Sequence, residues 1–248
     1  SSFYLIDNST DFINLKDNNT LFGKGTLKRT VDTRPIIEAI GTITTKISNI
    51  AILGLNFIAN SSILFGTTTG DSADGVFRVA YVDGFTFKGN KCNNINMGVV
   101  GVDSANSNDS FIVQIPLDQP SVNDTNSSSN VIISDNICND NSVFDRPSVA
   151  GNTTCIIICF AREFIVSNNT MNGYKAGVYI LGAKLNNGVD LTDDTIFKSH
   201  SGIVSNNTVN SYNVGIWAWG ARDLVFEANI VENCISETFD TEACSRIS

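Results

Sequence analysis

The sequence predicts an all-β chain wound as a right-handed parallel β-helix, a β-solenoid whose shortest repeat is 22 residues, and three observations carry that prediction. The first is a repeated frame: "FTFKGNKCNN" (85–94), "VIISDNICND" (131–140), "FIVSNNTMNG" (164–173), "GIVSNNTVNS" (202–211) and "LVFEANIVEN" (224–233). Each holds an apolar strand, two small or polar residues, an Asn, one further residue and then an apolar one. The second is another short strand that recurs as "GVFRVA" (75–80), "GVVGVD" (98–103), "CIIICFA" (155–161), "GVYILGA" (177–183) and "GIWAWGA" (215–221). The third is composition. Asn, Ser, Thr and Gly abound, good helix formers are scarce, and no 3.6-residue period appears.

Spacing turns these strands into coils. "IAILGLNFI" (50–58) fits the frame with Leu55 in the Asn slot, followed by Asn90, Asn136, Asn169, Asn207 and Asn229 at intervals of 35, 46, 33, 38 and 22. The shortest reads as a bare coil and the others as a coil with an insertion; 46 leaves room for a second coil. Insertions are expected at 103–130, 140–154 and 184–201. The whole chain, 1–248, reads as one β-helix domain. Having neither an initiator Met nor a signal-peptide pattern at Ser1, it is expected to be a processed chain or a piece of a longer one.

Stacked coils place like residues in columns about 4.8 Å apart. Cys92, Cys138, Met171, Val209 and Val231 share a slot that reads as inward, so the two thiols are expected to be buried as small hydrophobes. The Asn column is expected at a turn, in a left-handed backbone, with its amides bonded to the coil above. A second column, Asn93, Asn139, Asn172 and Asn210, follows three residues later. Both are read as structural.

Composition also excludes. The net charge of −9 and the lack of any basic run argue against nucleic acid. No run of about 18 apolar residues marks a membrane helix. The six cysteines lack metal-site spacing, and only Cys234 and Cys244 are considered as a disulfide pair. Sequons at Asn8, Asn18, Asn60, Asn108, Asn123, Asn126, Asn152, Asn168 and Asn206 are read as products of an Asn- and Thr-rich chain.

The repeats, together with the opening "LKDNNTLFGKGTLKRT" (15–30), resemble the pectate-lyase-like superfamily of right-handed parallel β-helices, over roughly residues 12 to 235. That group includes pectate lyases, polygalacturonases, alginate epimerases and bacteriophage tailspike depolymerases. The resemblance implies the fold; it does not fix the chemistry. "TDD" (192–194) and "SHSG" (199–202) echo polygalacturonase elements at the wrong spacing, and the epimerase "D-P-H" motif is missing.

Candidate chemistry gathers on outward faces and insertions. Arg162, Lys184 and Arg222 align after the second strand, followed by Glu163, Leu185 and Asp223, with Asp83 in the same acid slot. This reads either as a basic strip for an acidic sugar, with Glu163 and Asp223 as acid and base, or as turn residues whose charges pair between coils. Asp193 and Asp194, beside the lone His200, offer paired carboxylates or a solvated loop able to hold Ca²⁺ through oxygen ligands; no other cofactor is expected and no residue is assigned as a metal ligand. Asp71 and Asp74 form a third acidic cluster. Trp217, Trp219 and Tyr179 are expected to point outward on a face continued by Ile157, Cys159, Phe77 and Val79.

The function so read is a polysaccharide-binding β-helix of tailspike type, extracellular or on a virion surface. Depolymerisation by hydrolysis or elimination is left open, as are a non-catalytic adhesive module and a uronate lyase or epimerase. A homotrimer is expected, its subunits covering the tryptophan face.

Overall fold

The computed structural model describes residues 3–6, 12–29, 35–42, 44–59, 75–100, 125, 127–140, 154–159, 161–181, 199–234, 237–242 and 244–248. Every strand pairing among them is parallel. Three faces result. Face 1 is an eight-stranded sheet that includes Thr20–Phe22, Ile47–Leu53, Val82–Lys88, Ser128–Ser134, Ala161–Ser167, His200–Ser205, Arg222–Glu227 and Ser245–Ile247. Face 2 holds the strands after the Asn turn, such as Lys91–Asn93 and Ile137–Asn139. Face 3 holds Ile37–Ile40, Phe77–Ala80, Gly98–Val100, Thr154–Cys159 and Glu237–Glu242. Thr170–Leu181 and Thr208–Trp219 run through faces 2 and 3, with register shifts between Asn172, Tyr174 and Ala176 where they round the corner. This is the coil of a right-handed parallel β-helix.

The coil count follows from hydrogen bonds. The backbone N–H and side-chain Nδ2 of Asn90 both donate to Asn136 Oδ1, at 2.9 and 3.2 Å. Asn136 does the same to Asn169, Asn169 to Asn207, and Asn207 to Asn229. Each of these Nδ2 groups also reaches a carbonyl of the preceding coil, as Asn169 does to Ile133 O at 2.9 Å. The 46-residue interval is therefore one coil with an insertion, and it hides no second one. Asn90, Asn136, Asn169 and Asn207 are buried, which lets their amide bonds act with little competing water, and the ladder reaches the half-buried level only at Asn229.

The left-handed backbone falls one residue earlier than expected. Gly54, Gly89, Asp135, Asn168, Asn206 and Ala228 carry the positive φ, from 52° to 70°. This turns the chain so that the next side chain, the ladder Asn, points inward. The repeated "SNNT" sequons arise here: an exposed turn Asn, a ladder Asn and the Thr that opens the next strand.

Inside, Phe57, Cys92, Cys138, Met171, Val209 and Val231 stack in register as the sequence predicts. Cys92 and Cys138 are fully buried and all six cysteines are free, so the Cys234–Cys244 pairing does not form. Cys234 instead lies 3.1 Å from Ser211 Oγ, and the Cys244 thiol donates to Ala218 O. Burial pushes the Cys138 and Cys159 thiols well up from their ordinary range.

The glycines that open the second strands are steric necessities. A Cβ at Gly177 would lie 2.7 Å from Gly215 O, and one at Gly215 2.5 Å from Thr238 O. The second-strand phase holds in three coils and slips in two. Ile156, Val178 and Ile216 point inward and pair in register. Gly98, however, pairs with Ile156 and Phe77, one and two residues beyond its partners in the sequence alignment, Cys155 and Gly75, so that Phe77 falls in the column of Ile156 and not of Ile157. A one-residue slip flips every side chain to the other face. Phe77 and Val79 are accordingly core residues, and Arg78 stands in the outward column.

Candidate functional site

Two corners of the coil carry the side chains that the sequence singles out. On face 3, Ile157, Tyr179, Trp217 and Asp240 are successive register partners. Tyr179 and Trp217 stack with ring centroids 4.4 Å apart and planes within 16°; Trp217 and Trp219 lie 6.5 Å apart within 11°. Rings that close and that parallel must overlap face to face, so the Tyr179–Trp217 pair spends its facing surfaces on each other. Ile216 and Ala218 are buried between the indoles on the inner side, so the rings do point outward.

The face is already largely closed within one chain. Tyr179 is 3% exposed, Ile157 7% and Cys159 0%, while both indoles are half-buried. Trp217 Nε1 is buried without a hydrogen-bond acceptor. Below the rings, Arg78 pairs with Glu38 at 3.6 Å. Asp240 lies in "ETFDTE" (237–242), which lacks the repeat frame; the mark it leaves in the sequence is alternation, with Phe239 between polar neighbours.

The second corner lies where face 1 begins. Ser48, Asp83, Ser129, Arg162, His200, Arg222 and Ser245 form one register column. The basic column of the sequence thus exists, but His200 fills the slot assigned to Lys184, and Asp83 belongs to this column rather than to the acid slot. The next residue in each coil is left-handed: Asn49, Gly84, Asn130, Glu163, Ser201, Asp223 and Arg246, with φ from 52° to 83°. Glu163 and Asp223 are therefore turn residues. Glu163 pairs with Arg162 at 2.6 Å, and Asp223 accepts from Arg246 Nη2 at 2.8 Å.

Lower in the column, Ser129 Oγ and Asn130 Nδ2 donate to Asp83 Oδ1 at 3.0 and 2.7 Å, and Lys46 Nζ reaches Ser129 Oγ at 3.3 Å. The Asn130 amide leads in holding the Asp83 carboxyl below its ordinary range. Burial, aided by nearby Arg162, lowers Lys46. An acid this well bonded and this easily ionised is a poor proton donor. The arrangement cross-links coils; it does not present a free acid–base pair.

Asp71, Asp74, Lys184, Asp193 and Asp194 lie outside the described residues, as do most of the three insertions and the proposed Ca²⁺ loop. Among the described residues no group of His, Cys, Asp and Glu is arranged to hold a metal.

No family model and no curated protein matches the chain. Among solved structures it is similar to the Azotobacter vinelandii mannuronan C-5 epimerase AlgE6 A-module, at 12% identity and a TM-score of 0.41, over 92% of this chain. The match spans 65% of that module. By its own strand pairing, the chain is a right-handed parallel β-helix, the fold that its resemblance to the pectate-lyase-like superfamily implies.

Proposed function

We propose that this protein binds a linear polysaccharide along face 3, outside the cell or on a virion. The observation that carries the reading is the outward, parallel set of Tyr179, Trp217 and Trp219 on a rigid strand lattice. Aromatic rings offer apolar surface to the C–H faces of sugars, and the neighbouring polar groups orient the hydroxyls. Trp217 and Trp219 supply the outward, half-buried rings, and Asp240, one coil above Trp217, an acceptor. A polymer that repeats along its length suits a surface that repeats along its axis.

Cleavage is a second reading, favoured by the carboxylate of Asp240 beside the rings. Glu163 and Asp223 serve it less well, because both are held in ion pairs at another corner. The test is affinity electrophoresis and tryptophan fluorescence against capsular, cell-wall and algal polysaccharides, with reducing ends and unsaturated uronates followed in parallel. Trp219→Ala is expected to weaken binding by about tenfold or more, and Tyr179→Phe to leave it unchanged. Full affinity in Trp219→Ala would remove face 3 as the site.

A further inference from the structure

The chain has a single histidine, and its neighbour is a hydroxyl. His200 opens a face 1 strand and is half-buried. Its Nδ1 lies 2.9 Å from Oγ of Ser201, the next residue, which is exposed. Ser201 takes the left-handed backbone of this corner, with φ at 55°. Glycine and asparagine tolerate that conformation more easily than serine does. Of the seven left-handed residues stacked at the corner, Ser201 is the one hydroxyl, and it follows the one imidazole.

The coils above and below hold this pair from both ends. Ser199 O accepts the Arg222 N–H at 3.0 Å, and Ser199 Oγ accepts the Ala161 N–H at 3.3 Å. On the other side, a Cβ at Gly202 would collide with the Phe164 ring, so glycine has to follow Ser201. The hydroxyl is therefore set against the imidazole before any ligand arrives, on strands rather than on a loose loop.

Charge surrounds the pair. Arg162, one coil below, and Arg222, one coil above, are the register partners of His200. Glu163 and Asp223 flank Ser201 in the same way, and each is already bonded, to Arg162 and to Arg246. With Arg222 added, three guanidinium groups stand against two carboxylates around Ser201, while Lys46 and Asp83 offset one another further down. A surplus of positive charge favours an oxygen that becomes an anion.

We propose that Ser201 is a nucleophile, that His200 is its general base, and that this corner hydrolyses carboxylic esters. As Ser201 Oγ bonds to the acyl carbon, its proton passes to His200 Nδ1 and the carbonyl electrons move onto oxygen, facing the guanidinium groups. When the intermediate collapses, the ester C–O bond breaks and the leaving alkoxide takes the proton from His200. Water then attacks the acyl-serine, gives its proton to the same nitrogen, and releases the carboxylic acid as Ser201 recovers its hydrogen. The substrate class is a small acyl group carried on a sugar hydroxyl. Trp219 lies three residues before Arg222, so a chain bound on face 3 passes toward this corner. The sugar half of the substrate rests on the polysaccharide reading; the ester chemistry does not.

Two probes test it. A fluorophosphonate, which reacts with activated serines, is expected to add a single group that peptide mapping places on Ser201. Hydrolysis of p-nitrophenyl acetate, and acetate release from O-acetylated polysaccharides, follow turnover. Ser201→Gly, which suits the left-handed backbone and should keep the fold by circular dichroism, is expected to abolish labelling and cut turnover at least about a hundredfold, as is His200→Gln. A label on another residue, turnover that survives Ser201→Gly, or a native chain with neither label nor turnover would each overturn the assignment. Small-ester turnover without affinity for any polysaccharide would uphold the esterase and remove the polysaccharide reading. Affinity without label or turnover would do the reverse.

Discussion

Asn169→Leu is the sharpest perturbation of the fold. In the native protein Asn169 Oδ1 accepts from the backbone N–H of Asn136 at 3.1 Å and from its Nδ2 at 2.8 Å, while its own Nδ2 donates to Ile133 O and to Asn207 Oδ1. Leucine has nearly the same size and removes all four bonds. The Asn136 backbone N–H and one of its two Nδ2 hydrogens are then buried without an acceptor, at about 1–3 kcal/mol each, while the other Nδ2 hydrogen keeps Phe87 O, and two acceptors lose a donor. The added apolar contact offsets about 1 kcal/mol. The net loss expected is about 3–5 kcal/mol, a large share of the stability of a typical domain. Leu55 shows why the slot can hold leucine at all: it lies at the start of the ladder, receives no side-chain donor from below, and only donates its N–H to Asn90 Oδ1. Urea unfolding followed by circular dichroism measures the loss, with Asn172→Ala as the control. Asn172 donates one bond, to Asn139 Oδ1 at the half-exposed surface, and its loss should cost less than about 1 kcal/mol. If Asn169→Leu unfolds within about 1 kcal/mol of the native chain, the ladder does not hold the coils together.

Two further outcomes follow from the same columns. Cys92, Cys138, Cys155 and Cys159 are buried and should react with a thiol reagent only after unfolding, whereas native labelling of Cys92 or Cys138 would contradict the inward column. Asp83 has a folded pKa lowered chiefly by Asn130, so it stabilises the fold above the ordinary carboxyl range, and that contribution disappears as pH falls through its folded value. Asp83→Asn should therefore flatten the acid limb of the stability profile below about pH 4, and an unchanged limb would remove Asp83 from the account.

The coil was legible in the sequence because its signals are local. An inward Cys138, Met171 or Val209 must be apolar, and a buried ladder Asn cannot be exchanged for a carboxylate that would bury charge. Each therefore recurs in one frame. The outward second-strand residues carry no such constraint, and there the alignment failed: "GVVGVD" and "GVFRVA" share a Gly–Val opening with "GVYILGA", yet Gly98 pairs with Phe77. Whether a side chain faces core or solvent depends on the register of that one pairing, which turn length decides and sequence similarity does not.

The same limit governs the site. The sequence by itself determined that Arg162 and Arg222 would stand in one column and that Trp217 and Trp219 would share a face, because each follows from counting residues within a coil. It could not determine that His200 completes the basic column, because residues 182–198 intervene without a repeat to count by. Nor could it show that Glu163 and Asp223 are turn residues locked to arginines, or that Asp240 stands over Trp217. The Arg162–Glu163 pair is set by the left-handed turn the two residues share, whereas the Asp223–Arg246 bond and the place of Asp240 are relations between coils that only packing one coil on the next creates.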